Sequence, residues 1–118
     1  MKYMLLIYGE EQAMLATTPN DGSGMSPDYA AFNAALIKAG AMLGGERLRP
    51  STTATSVRVR NGRSEVIDGP YAETREQFGG FYMIEAPDLD QAIAWAAKCP
   101  AAEHGTIEVR PIWPTRGE

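Results

Sequence analysis

Apolar side chains occupy both alternating faces of residues 2–8, with Tyr3, Leu5 and Ile7 on one and Met4, Leu6 and Tyr8 on the other. That pattern predicts a strand covered on both sides. Periodicity then disappears over residues 10–25, where Thr17-Thr18-Pro19-Asn20-Asp21-Gly22-Ser23-Gly24 gathers turn formers. A long loop of the lid or binding-loop kind is expected there. Ser26-Pro27-Asp28 supplies a capping hydroxyl, a proline for the first helical position and an acid favoured by the helix dipole. Tyr29, Phe32, Leu36, Ala39 and Leu43 recur at helical spacing, and Gly44-Gly45 offers a stop, so a helix is predicted over 27–43.

A short strand is expected around residues 46–49, ended by Pro50. Over residues 54–60, Val57 and Val59 alternate inward against Arg58 and Arg60. Asn61-Gly62 is the turn pair that tolerates positive φ at both central positions, so 64–68 is the antiparallel return strand. Residues 79–86 are again apolar on both faces and predict a second central strand. Asp88 with Gln91 three residues on has capping-box spacing, and Leu89, Ala92, Ile93 and Ala96 form the expected buried stripe of a second helix that Pro100 ends. Residues 106–112 close the series as a strand, with Ile107 and Val109 on one face and Glu108 and Arg110 on the other.

Strand, helix, two or three strands, strand, helix, strand suits an α+β, ferredoxin-like antiparallel sheet with two helices on one face. The other face would be bare. Because both central strands are apolar on that side too, a single chain would expose more than the few hundred Å² usual for soluble proteins. Homodimerisation through the bare faces is the economical answer.

Composition narrows the reading. The chain has 118 residues, 44% of them hydrophobic, which fits one domain over 1–118 burying roughly two-thirds of its unfolded surface. Eleven Lys and Arg against fifteen Asp and Glu give a net charge of −4, with no basic run to neutralise several phosphates, so direct nucleic-acid binding is not expected. The single cysteine, Cys99, has no partner for an internal disulfide, and no secretory leader pattern precedes the first strand, which points to the cytoplasm. No apolar run approaches the roughly eighteen residues of a spanning helix, so no membrane partner is expected.

The chemistry concentrates in Asp68-Gly69-Pro70-Tyr71-Ala72-Glu73-Thr74-Arg75-Glu76-Gln77-Phe78-Gly79-Gly80. Asp68 ends a strand where the chain turns away. Its carboxylate can accept backbone N–H bonds at Tyr71 or Ala72 as an Asx turn, or serve as a base or ligand anchor. Thr74 and Gln77 have capping-box spacing, which predicts one helical turn over 73–77 with N–H groups open to an anion. Arg75 can clamp a carboxylate or phosphate, or pair with Glu73, Glu76 or Asp68. His104, the one histidine, titrates near neutrality unaided and is a proton-transfer candidate or an ordinary capping residue. No second histidine or cysteine stands at ligand spacing, so neither a metal site nor haem is predicted, and no other cofactor is indicated. Glu108 and Arg110 would pair with each other or with Glu46 and Arg47, with a polar ligand pocket as the alternative. Cys99, beside a helix C-terminus, reads as a small packed hydrophobe; Trp95 and Tyr29 read as core.

Together with Ala86-Pro87-Asp88-Leu89-Asp90-Gln91-Ala92 and Ile107-Glu108-Val109-Arg110-Pro111-Ile112, that central segment resembles the DGPF subgroup of the YCII-related family of small bacterial proteins, over residues 1–112. The subgroup signature carries over at Asp68, Gly69 and Pro70, with Tyr71 in place of its phenylalanine, and on through Ala72, Glu73 and Thr74. The resemblance implies dimers whose sheets pack into an α/β barrel with a cleft on each side. Enzyme-like relatives pair an aspartate with a histidine in the first helix. Here that helix has Phe32 and Asn33 at the nearest positions, so the pair does not carry over. The resemblance also implies a functional link to extracytoplasmic-function sigma factors. The same architecture hosts monooxygenases, isomerases and binding proteins, so fold selects none of them.

Two functional readings follow. In the first, a cytoplasmic homodimer binds a small polar or anionic metabolite beside residues 68–77. Asp68 and His104 are then the candidate catalytic residues, and Tyr71, Glu73, Thr74, Arg75, Glu76 and Arg110 the ligand contacts. In the second, the chain is a non-catalytic regulatory or interaction module. Whether it is an enzyme, and on what, is not legible in the residues.

Overall fold

The computed structural model describes residues 1–17 and 26–115. Four strands form one antiparallel sheet: β1 (Lys2–Gly9), β2 (Met42–Arg47), β5 (Gln77–Glu85) and β6 (Thr106–Pro111), in the order β2-β5-β1-β6. A separate hairpin joins β3 (Thr55–Arg60) to β4 (Arg63–Asp68). The helices are α1 (Glu11–Thr17), α2 (Pro27–Lys38) and α3 (Leu89–Lys98). With α1 and the hairpin set aside, the path is βαββαβ, the ferredoxin-like arrangement.

β1 lies at the centre because it can bury side chains and hydrogen-bond on both edges. It pairs antiparallel with β5 on one side and β6 on the other, Leu5 facing Tyr82 and Val109. Tyr3, Leu5 and Ile7 point to the helical layer and are buried with Tyr82 and Ile84. α2 contributes Phe32 and Leu36, and α3 contributes Ala92 and Ala96. The Phe32 ring stands edge-on to Tyr82 at 5.2 Å and close to Trp95 at 6.3 Å. Cys99 is buried in the same layer, its thiol donating to the Tyr29 hydroxyl at 3.9 Å, and the Tyr82 hydroxyl donates to Asn33 Oδ1. Burial pushes the Cys99 thiol and the Tyr29 phenol up, and Tyr82 up to about 12.

Both principal helix starts follow the expected caps. Ser26 Oγ accepts from the Tyr29 amide and Asp88 Oδ1 from the Gln91 amide. The end of α2 differs from the expectation. The helix stops at Lys38 because Gly40 turns the chain at φ +71°, and Leu43, Gly44 and Gly45 belong to β2. Helical spacing at Leu43 was coincidence: Met42 is already paired with Ile84 of β5. On α3 the buried stripe is narrower than expected, since Leu89 and Ile93 are exposed. Two small alanines suffice, bringing the helix close to the sheet.

Residues 10–25 are not one loop. α1 occupies Glu11–Thr17, and residues 18–25 lie outside the described residues. Met14 seats against Gly9 and Gly79, where an added Cβ would meet its sulfur or terminal methyl at 3.0 Å. The hairpin turn has the expected form, with Asn61 at φ 53° and Gly62 at φ 74°. Its valines do not point inward, however: Val57, Val59 and Val66 are exposed. The hairpin pairs only with itself and leaves the sheet after Pro50. The radius of gyration, 16.0 Å, accordingly exceeds the roughly 13.5 Å of a compact chain of this length.

The sheet face away from α2 and α3 carries Met4 and Leu6 beside Met83 and Phe81, flanked by Glu46 on β2 and by Glu108 and Arg110 on β6. Glu108 and Arg110 pair with each other at 3.5 Å and stay exposed. No helix among the described residues is long and apolar enough to cross a membrane.

Two outcomes follow. A Cβ at Gly105 would lie 2.1 Å from the Tyr8 carbonyl oxygen, whereas one at Gly44 would meet nothing within 4 Å. Gly105→Ala should cost about 1–3 kcal/mol in urea unfolding while Gly44→Ala stays near zero. The raised Tyr82 pKa favours the neutral phenol in the fold. Its contribution is complete below the unfolded value of 10.0 and is lost as pH rises through about 12. Unfolding free energy should therefore fall between those values, in step with tyrosinate absorbance, and a flat profile would contradict the buried placement.

Candidate functional site

Since β1 runs antiparallel to both neighbours, its C-terminal end meets the starts of β5 and β6. Three segments converge at that end of the sheet: Tyr8 to Glu10 from β1, Thr74 to Glu76 ahead of β5, and His104 to Thr106 entering β6. Gly105 makes the approach feasible. Without a side chain, it lets β6 begin in contact with the Tyr8 backbone. The result is an open cleft of about 790 Å³ lined by Tyr8, Glu10, Thr74, Arg75, Glu76, His104, Thr106 and Glu108.

The loop wall is held by hydrogen bonds rather than by a helix. The expected turn over 73–77 does not form, because Gln77 is already in β5, opposite Gly9. The Thr74 hydroxyl donates to the Glu76 carbonyl and the Gln77 amide to the Thr74 carbonyl at 2.6 Å. Gln77 Oε1 also accepts from the Glu11 backbone N–H at 3.0 Å, tying the loop to the first turn of α1. The Glu11 carboxylate in turn accepts from the Ser51 backbone N–H and, at 2.7 Å, from its hydroxyl. Loop, α1 and the segment leading to the hairpin are thus one hydrogen-bonded unit.

Charges in the cleft divide into tied and untied groups. Glu76 Oε1 accepts from the Thr106 hydroxyl at 2.9 Å, and Glu108 is paired with Arg110. Neither the Arg75 guanidinium nor the His104 ring has a hydrogen bond or ion pair among the described residues, and both are exposed. The ion pair expected between Arg75 and Glu73, Glu76 or Asp68 is absent. An untied guanidinium in a cleft can hold a planar anion, and an imidazole lining the same cleft can exchange a proton with it.

The segment singled out in the sequence therefore splits. Thr74, Arg75, Glu76 and His104 come together in the cleft, and Arg110 reaches it only through its pair with Glu108. Asp68 and Tyr71 do not line it. Asp68 ends β4 opposite Thr55, and Tyr71 borders a smaller recess of about 180 Å³ at the hairpin base with Pro70, Ser56 and Ile67. The base is closed by the Gly69 N–H donating to the Ala54 carbonyl at 2.7 Å and by the Ser56 hydroxyl donating to the Gly69 carbonyl at 2.9 Å. No Asx bond from Asp68 to Tyr71 or Ala72 forms; Gly69, at φ +102°, makes the turn instead. Glu73 is exposed and outside the cleft wall. Sequence reasoning did not place Tyr8 and Thr106 at the site, and had Glu10 only as the start of a lid loop. The signal that finds them is strand register, because Tyr8 faces both Phe78 and Thr106. Among the described residues, no three His, Cys, Asp or Glu side chains gather as a metal ion would need.

Gln77 is the hinge pin of this wall. Gln77→Ala removes its bonds to Thr74 and Glu11 and should lower stability by about 1 kcal/mol. Trypsin should then cleave after Arg75 several-fold faster, read by mass spectrometry of the fragments. Unchanged cleavage would show that the wall is held by something else.

The model of the YCII-related domain matches residues 1–116 of this chain. A relative named "Uncharacterized protein R00369", from Rhizobium meliloti (strain 1021), is 35% identical over 114 residues, covering 95% of this chain and 92% of the relative.

Proposed function

This chain belongs to the YCII-related family, and from that premise we propose that it is a cytoplasmic homodimer that binds a small anionic metabolite in the cleft at the C-terminal end of β1. The observation that carries the reading is one cleft lined by both an untied Arg75 guanidinium and His104, in a wall whose acid Glu76 is held by Thr106. Arg75 anchors a carboxylate or phosphate of the ligand. Glu10 and Tyr8 line the same space and suit hydroxyl or amino groups on it. His104 accepts or returns a proton, the acid–base chemistry this cleft can offer. Asp68 is outside the cleft and has no part in that exchange. Its place is at the hairpin base, with Gly69, Pro70 and Tyr71 as the mark of the DGPF subgroup.

Dimerisation through the bare sheet face is supported by the apolar centre of Met4, Leu6, Phe81 and Met83 between charged edges. A partner sheet there would wall the cleft on its open side and bury the Glu108–Arg110 pair. The alternative, an interaction module in a sigma-factor-linked response, is supported by the openness of the cleft and the exposure of its walls.

Thermal shift of wild type and Arg75→Met against small carboxylates, lactones, phosphates and flavins separates the two. A ligand at about 100 times its dissociation constant should stabilise wild type by roughly 2.7 kcal/mol, and Arg75→Met should lose most of that gain while melting normally alone. A hit unaffected by Arg75→Met would move the site elsewhere. A library without hits would favour the interaction module.

A further inference from the structure

The hairpin β3–β4 has a feature that neither the cleft nor the bare sheet face explains. Cross-strand register puts Val57 opposite Val66 and Val59 opposite Ser64 on one face, and Arg58 opposite Glu65 and Arg60 opposite Arg63 on the other. The valine face is 64% exposed at Val57, 59% at Val59 and 65% at Val66. A two-stranded hairpin is at best marginal in water. This one nevertheless has six paired positions, a type I′ turn and an Arg58–Glu65 bond of 3.0 Å, yet no strand of the main sheet beside it. The valine face carries one charge, Asp68, at its base opposite Thr55, while Arg58, Arg60, Arg63 and Glu65 share the other face; β-branched residues across the middle of one face with charges gathered on the other is the pattern of a strand pair packed on an apolar surface. Within the described residues that surface is missing.

We infer that the hairpin is a dimerisation arm whose valine face packs on a second copy of this chain. The inference rests on the homodimer proposed above and adds to it where the second contact lies. Area supports the choice of occupant. Four strands spaced by about 4.8 Å, with about six paired residues each, give the sheet face a footprint of roughly 400 Å². Two such faces stacked bury about 800 Å², below the roughly 1,200 Å² at which stable interfaces begin. An arm of two six-residue strands covers roughly 200 Å² of its partner. Two reciprocal arms, each burying that area on both sides, bring the total to about 1,600 Å², the usual size of a stable interface.

Charge supports it as well. The arm carries Arg58, Arg60 and Arg63 against Glu65 and Asp68, a net +1 on a chain of −4, so the remainder carries −5. A basic arm tip is attracted to the acidic body of a second copy. The arm's root points the same way. Ser51, just before β3, is bonded to Glu11, and the sheet pairing continues from Leu48 N–H to the Gly79 carbonyl at 2.9 Å. That fixes the direction in which the arm leaves the sheet, so its ordering cost is met within the chain before association.

The test uses the full chain. Sedimentation over a dilution series gives the dimer dissociation constant for wild type, for Val57→Lys with Val66→Lys, and for the milder Val57→Thr with Val66→Thr, which keeps strand propensity. The lysine pair should weaken the dimer at least a hundredfold and the threonine pair about tenfold, with circular dichroism unchanged because the arm lies outside the core. In parallel, Val59→Cys is titrated with a thiol reagent, Cys99 being buried. Its reaction rate should fall as protein concentration rises through the dissociation constant. A dimer that survives the lysine pair, with Val59→Cys equally reactive at all concentrations, overturns the arm and leaves the sheet-face dimer standing. A wild-type chain monomeric at every concentration overturns both.

Discussion

Burial and pairing of β1 hold this molecule together. Tyr3, Leu5 and Ile7 fill the layer under α2 and α3, and both edges of the same strand are hydrogen-bonded, to β5 and to β6. Burying an aliphatic or aromatic side chain contributes about 1.5–3 kcal/mol before entropy is counted, so these three positions matter more than any surface pair. The helices follow from it. Ala92 and Ala96 are small because α3 approaches the sheet closely, and Phe32 and Leu36 fill the space that the Tyr82 ring leaves.

The cleft is a by-product of the same constraint. An antiparallel central strand delivers its end to the beginnings of both neighbours, so residues far apart in sequence gather there without any local motif. Gly105 allows the last approach, at the Tyr8 carbonyl. The hydrogen bonds through Gln77, Glu11 and Ser51 then couple the cleft wall to α1 and to the root of the hairpin.

Among the described residues, the core is free of buried ionised groups. Its polar members, the Tyr29, Tyr82 and Cys99 groups, are neutral, and burial keeps them so by raising their pKa values. The ionisable groups of the cleft stand at the open end of the sheet, outside that core. That separation leaves the cleft residues replaceable with little effect on folding, because exposed charges contribute little to stability.

Much of the fold was legible in the residues. Runs apolar on both faces identified β1 and β5, alternation with period two identified β6, the Ser26 and Asp88 caps fixed two helix starts, and Asn61-Gly62 fixed the turn, because each depends on chemistry within a few residues. The errors arose where a distant partner decided. Leu43 had helical spacing but was claimed by β5; Val57 and Val59 alternated as if inward, but the strand they would have packed against is absent from the hairpin's surroundings. Thr74 and Gln77 had cap spacing, yet Gln77 was drawn into the sheet opposite Gly9. By itself the sequence determined the types of the strands and of α2 and α3 but not of α1, together with the βαββαβ order and the family, since these follow from periodicity, turn chemistry and the run of residues. Only the tertiary structure decided which charges stand free in one cleft and which valines face no core of their own, because register and the antiparallel placement of β1 bring together residues that are separated along the chain.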